Sequence, residues 1–234
     1  MRRIPEPELM RDGEPAQSYV QADFEEEAHN LFMRLLVKNF PQDTIIGPVL
    51  DLGCGMADIT RRFAQTFTKC QVDGIDGAES MLRYGQLTLE KYDLTHRVHL
   101  KLDYLPEADL PLAYYQAVIS NALLHHLANP SVLWTTIKRV AKLDSPIFIM
   151  DLMRPESIAQ AEIIVQRYAG SEPDILQQDF YNSLLAAYRI DEVEAQLQKA
   201  ALNYLTVHEV SDRHFIVVGR LSSVTAIKKI ALYL

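Results

Sequence analysis

The stretch VLDLGCGMAD, Val49 to Asp58, decides how the rest of the chain reads. An apolar run ends at Asp51 and Leu52 and gives way to two glycines, Gly53 and Gly55, before the helical pattern ADITRRFAQTF begins. A buried strand that feeds a helix through a bare turn puts that turn at the strand's carboxyl end, where open α/β sheets bind ligands. Glycines there permit unusual backbone angles and let a ligand touch the main chain. Ala57 stands where a third glycine is common and is the next smallest choice.

Outward from this turn, strand and helix patterns alternate. QVDGID reads as a second strand, AESMLRYGQLTLEKY as a helix interrupted by Gly85, VHLKLD and YQAVISN as further strands, PSVLWTTIKRVAKL as a helix and PIFIMDLM as a fifth strand. Alternation of this kind predicts a parallel sheet covered on both faces. Two to four helices follow over about 156–201, with Asp191 as an N-cap of the last, and then a hairpin is expected, LNYLTVHEV and HFIVVGR around SDR. The fold class is α/β: a doubly wound, Rossmann-like, mostly parallel sheet of seven strands with the last antiparallel. Residues 1–41 read as an arm and a lid helix, 42–220 as the core with a helical cover over about 156–201, and 221–234 as a tail against the core or a partner.

Composition limits the partners. The chain has 234 residues, 48% apolar and 23% charged, and a net charge of −8. That balance opposes a phosphate-backbone partner, so nucleic acid is not expected and a small molecule is. No apolar run reaches the roughly eighteen residues of a membrane span. The first residues lack the apolar stretch of a secretory signal, and a cytoplasmic location is expected. Cys54 and Cys70 are too few for a disulfide framework or a zinc site of their own, and no metal site is expected. A monomer or a homodimer is expected.

The second strand ends in Asp76, about twenty residues past the glycines, where a carboxylate can accept both hydroxyls of a ribose. The third ends in Asp103, so Asp51, Asp76 and Asp103 share one edge of the sheet. A dinucleotide would bring a pyrophosphate against Asp51 and Asp58. A sulfonium nucleoside, cationic and free of phosphate, suits acidic strand ends better.

These motifs together resemble the class I S-adenosylmethionine-dependent methyltransferases. VLDLGCGMADIT is similar to the family's first motif, VDGIDGAESML to its second, KLDYLPEADLP to its third and YYQAVISNALLHHLANP to its fourth, in order over about residues 45–220. The resemblance implies S-adenosyl-L-methionine as cofactor and S-adenosyl-L-homocysteine as product. It sets Gly53, Cys54 and Gly55 against the methionine part, Asp51 near its ammonium, Asp76 on the ribose and Met81 against adenine. It gives Asp103 and the Tyr104 N–H to the adenine edge, sets Ser120 and Asn121 beside the sulfonium, and lets Tyr19 close over the donor.

Methyl transfer aligns a nucleophile behind the methyl and excludes water. A hydroxyl nucleophile gains roughly 10²–10⁴ in rate from a general base. His125 and His126, after the fourth strand, are the candidates, with His208, Asp212 and His214 as rivals. Arg154 can grip an acceptor carboxylate or pair with Glu156 or another acid. Tyr181 and His214 are further candidates for acceptor contact. The leading reading is methyl transfer to a small-molecule acceptor, oxygen first, carbon or nitrogen next. The alternatives are an NAD(P)-dependent oxidoreductase and a nucleoside-binding subunit without catalysis.

Overall fold

The structure, a computed structural model, describes residues 1–6 and 26–222. Tyr19 and the 223–234 part of the expected tail lie outside the described residues. Helix α1 (Glu26–Asn39) and a 3-10 turn at Gln42–Thr44 precede the sheet. Then follow β1 (Gly47–Leu52), α2 (Asp58–Thr66), β2 (Cys70–Asp76), α3 (Glu79–Lys91), β3 (Val98–Leu102) and β4 (Ala117–Asn121). A 3-10 turn, Leu124–His126, leads to α4 (Ser131–Val140) and β5 (Pro146–Leu152). Three helices, α5 (Ile158–Ala169), α6 (Asp174–Ala186) and α7 (Ile190–Lys199), precede β6 (Thr206–Glu209) and β7 (His214–Arg220).

One sheet contains all seven strands in the order β3-β2-β1-β4-β5-β7-β6. The first five run parallel, and β7 is antiparallel to both β5 and β6. The expected doubly wound sheet with an antiparallel last strand is the observed one. Strand order reverses between β1 and β4, which leaves a crevice beyond their carboxyl ends.

Period-two alternation divides the core into two layers. Ile147 and Ile149 of β5 and Phe215 and Val217 of β7 point to one face, where Trp134 and Ile137 of α4 and Val193 and Leu197 of α7 cover them. Phe148, Met150, Ile216 and Val218 point to the other face, under Phe32 and Leu36 of α1, Phe63 of α2 and Leu89 of α3. The Phe32 ring meets the Phe148 ring edge-on at 4.9 Å. Gly85 does not break α3. A side chain there would come within 2.9 Å of Leu100, so the glycine is where the helix lies close on β3.

The helical stretch over about 156–201 divides in two. Helices α5 and α6 share a small apolar cluster with Leu152, including Ile164, Phe180 and Leu184. Helix α7 instead packs on the sheet, and its Gln196 accepts the indole N–H of Trp134 at 3.0 Å. Asp191 is not the N-cap. The helix begins at Ile190 and its capping residue is Arg189, whose backbone N–H donates to Glu192.

Trp134 is fully buried and joins α4 to α7. Trp134→Ala should cost about 3–5 kcal/mol of stability, read as a shift of the urea midpoint.

Candidate functional site

A cavity of about 350 Å³ opens at the carboxyl edge of the sheet, at the reversal point. Its first wall is the turn after β1. Gly53 and Gly55 sit at φ +72° and +51°, in the left-handed region that side chains disfavour. A Cβ at Gly53 would lie 3.0 Å from Leu123. At Gly55 nothing lies within 4 Å, so a side chain there would fill the space the turn keeps open. The amides of Gly53 and Cys54 both donate to the Ile75 carbonyl, at 2.9 and 3.0 Å, and hold the turn against the end of β2.

Asp76 completes that attachment. One carboxylate oxygen accepts the Gly55 N–H at 2.8 Å and the other accepts the Ala78 N–H at 2.8 Å. An ionised carboxylate has about four acceptor positions, so each oxygen keeps one for a ligand. Asp51 is 1% exposed and accepts from the Thr60 hydroxyl at 2.6 Å. Burial pushes its carboxyl up to about 7, with Asp76 nearby adding to the rise and Thr60 offsetting part of it. The Cys54 thiol is buried and its pKa is raised by that burial. Met81 lines the same wall.

Asp103 and Tyr104 also line the cavity. Lys101, 2.7 Å away, holds the Asp103 carboxyl below its usual range, and the amides of Tyr104 and Asp109 donate to it. The Tyr104 N–H is thus bonded to its own neighbour. Ser120 is not on the cavity wall. It is fully buried and its hydroxyl donates to the Leu52 carbonyl at 2.6 Å, tying β4 to β1. Asn121, one residue on, is on the wall.

The opposite wall comes from β4, β5, α6 and β7. His125 is 3% exposed, with Nδ1 2.6 Å from Asp151 on β5. That carboxylate also accepts the amides of Leu124 and Leu152, which fix it in place. An ionised Asp151 makes Nδ1 the donor and leaves Nε2 as the free atom of the neutral ring. Burial disfavours the imidazolium, but Asp151 outweighs it and raises the His125 pKa. His126 pairs through Nδ1 with Glu6, whose other oxygen accepts from Ser183 at 2.6 Å. Burial raises the Glu6 carboxyl less than His126, His125 and Ser183 lower it.

His214 reaches the cavity, and burial with Arg213 beside it pushes its pKa down to about 3. Arg154 does not reach it: it is buried and pairs with Glu192 at 2.7 Å, also donating to the Ala187 carbonyl. Tyr181 packs beside the α5–α6 cluster, and its neighbour Phe180 lines the cavity instead. His208 is held by Thr206, and Asp212 by Tyr168 and Arg167, both away from the cavity wall. Sequence reasoning missed Glu6, Asp151 and Arg213. Asp151 had a signal, as the one charge in an otherwise apolar strand. Glu6 had none, because its partners stand 120 and 177 residues away.

The lining among the described residues holds five aspartates and one arginine, Arg213, and no lysine. A pyrophosphate is therefore disfavoured, and a cationic nucleoside fits the open turn and the acidic strand ends.

Residues 49–144 match the family model described as methyltransferase domain. Among solved structures, a protein of Methanococcus maripaludis described as an S-adenosyl-L-methionine-dependent methyltransferase superposes with a TM-score of 0.69 at 12% identity, over 94% of this chain and 98% of that one. A SAM-dependent methyltransferase from Aquifex aeolicus gives 0.56 at 20% identity, over 85% and 98%. A phosphoethanolamine N-methyltransferase of Haemonchus contortus, in complex with phosphomonomethylethanolamine and S-adenosylhomocysteine, gives 0.64 at 13% identity, over 83% of this chain and 53% of that one. No curated protein matches the sequence. Residues 49–144 thus carry a methyltransferase domain, and the fold is that of solved S-adenosylmethionine-dependent methyltransferases. No described helix is long and apolar enough to cross a membrane.

The raised Asp51 carboxyl has a measurable consequence. Its pKa lies near 3.8 unfolded and about 7 folded, so the stabilising proton is present below pH 4 and lost as pH rises through 7. Wild type should therefore lose stability relative to Asp51→Asn between pH 4.5 and 7.5, as read from urea midpoints of both proteins.

Proposed function

We propose that this methyltransferase acts on a hydroxyl of a small-molecule acceptor bound between His125, His126, Phe180 and Ser183. One observation carries the reading. The glycine turn with Asp76 and the His125–Asp151 pair face a single cavity. Its volume of about 350 Å³ is at the small end of small-ligand sites. The acidic lining and the net charge of −8 argue against a polynucleotide acceptor.

S-adenosylmethionine, when bound, supplies a methyl group already activated by a cationic sulfur. This chain's residues then have two tasks. The first is to hold the donor. The bare backbone of Gly53 and Gly55, with Cys54 between them, lies against the methionine part and Asp51 near its ammonium. Asp76 takes the ribose, and Met81, Asp103 and Tyr104 border adenine. Asn121 is the residue of its pair on the cavity wall, while Ser120 holds strands together.

The second task concerns the acceptor. A hydroxyl attacks well only as its proton leaves, and His125 and His126 are the groups that draw that proton away. Asp151 fixes the His125 ring with Nε2 as its free atom. Phe180 supplies an apolar wall that keeps water out. A phosphorylated amine, the acceptor in the Haemonchus complex, is a poorer fit, because Arg213 already lies over the Tyr168 ring at 3.3 Å beside Asp212.

Two measurements test this reading. Calorimetry should show S-adenosylmethionine binding weakened by about 1–3 kcal/mol in Asp76→Ala, and unchanged affinity removes Asp76 from the donor site. A metabolite extract incubated with methyl-labelled donor should yield a product heavier by one labelled methyl on oxygen with wild type and not with His125→Ala. A labelled nitrogen or carbon, or a labelled macromolecule, overturns the acceptor assignment.

A further inference from the structure

The cluster at the acceptor end contains more than a base. Glu6, His125 and His126 each offer one ligand atom, and these atoms all lie within 4.8 Å of one another. We propose that Glu6, His125 and His126 bind one divalent first-row transition-metal ion, such as Zn²⁺, Mn²⁺ or Fe²⁺, at the acceptor end of the cavity. The inference rests on the methyl-transfer reading for its use, though not for its existence.

Geometry supports it first. Neighbouring ligands about 2.1 Å from a tetrahedral ion stand roughly 3.4 Å apart. The His125 Nε2 to Glu6 distance is 4.0 Å, and His126 Nδ1 pairs directly with the other Glu6 oxygen. An ion between the three takes the place of the proton in the His126–Glu6 hydrogen bond, which opens as His125 Nε2 and Glu6 draw together.

The surrounding groups support it next. Metal-binding histidines usually give their second ring nitrogen to a carboxylate, which sets the tautomer and turns the free nitrogen to the ion. Asp151 does this for His125, at 2.6 Å, and is itself held by two backbone amides. Glu6 is held by Ser183. Two carboxylates thus flank the histidines. The nearby cation, Arg3, is turned onto the carbonyls of Ala186, His125 and Leu127 and lies 4.2 Å over the Tyr188 ring.

The donor set chooses the metal. Two imidazoles and one carboxylate favour first-row transition ions over Mg²⁺ or Ca²⁺, which prefer oxygen. Three protein ligands also leave open positions, and His125 and His126 line the cavity. A bound ion would lower the pKa of an acceptor hydroxyl coordinated at an open position, so that its proton leaves to solvent as the methyl arrives. The oxygen–methyl bond then forms as the methyl–sulfur bond breaks, and the sulfonium becomes a neutral thioether. When the ion is bound it takes over from the two histidines the task of drawing the proton off, and His125 Nε2 serves as its ligand.

Chelator-stripped full-length protein titrated with Co²⁺ tests the site. Visible d–d bands should saturate at about one Co²⁺ per chain and bleach on adding Zn²⁺. Glu6→Gln and His126→Ala should each weaken Co²⁺ binding at least about tenfold. Both variants should still unfold in one cooperative transition and keep S-adenosylmethionine affinity by calorimetry, which separates lost ligation from lost fold. Absence of the bands, or equal bands in both variants, overturns the metal site and leaves direct proton transfer to His125. Failure of wild type to bind the donor instead overturns the methyl-transfer reading, and the Co²⁺ titration still decides the site.

Discussion

The Gly55 amide donates to Asp76, and the glycine turn keeps its place against β2 through that bond and the two amide bonds to Ile75. The cavity depends on this attachment. If the turn lifted from β2, the open space at Gly55 and the acidic strand ends would no longer share a wall. Asp76 serves both purposes at once, because an ionised carboxylate keeps acceptor capacity after two backbone bonds. The side chain that fastens the turn is also one that keeps acceptor positions facing the cavity.

The same economy operates at the other end. Asp151 lies on a strand whose residues are all buried, and its carboxylate is satisfied by two amides and one imidazole. The result is a single orientation for His125. Asp51 sits in a comparable burial with only the Thr60 hydroxyl against it, and so its carboxyl rises to about 7.

The antiparallel strand β7 has a functional consequence. It reverses the edge of the sheet, so its amino-terminal end, with Arg213 and His214, reaches the carboxyl ends of β4 and β5. The α5–α6 cluster then contributes Phe180, and α6 contributes Ser183, above the histidines. Residues far apart in the chain thereby meet around one small volume, while α7 serves the core through Trp134.

The sequence by itself determined the parallel core, the bare turn and the acidic strand ends. These are local matters: a period of two or of 3.6 residues, a glycine where a side chain would intrude, an aspartate where a strand stops. Only the tertiary structure decided which polar groups meet. Ser120 and Asn121 are neighbours in sequence, yet one bonds to Leu52 and the other faces the cavity, because successive strand residues point to opposite faces. Arg154 turned to Glu192 on a helix 38 residues away, and Glu6 came to His126 across 120. Pairings over such separations are set by packing of whole elements, and no local pattern along the chain encodes them.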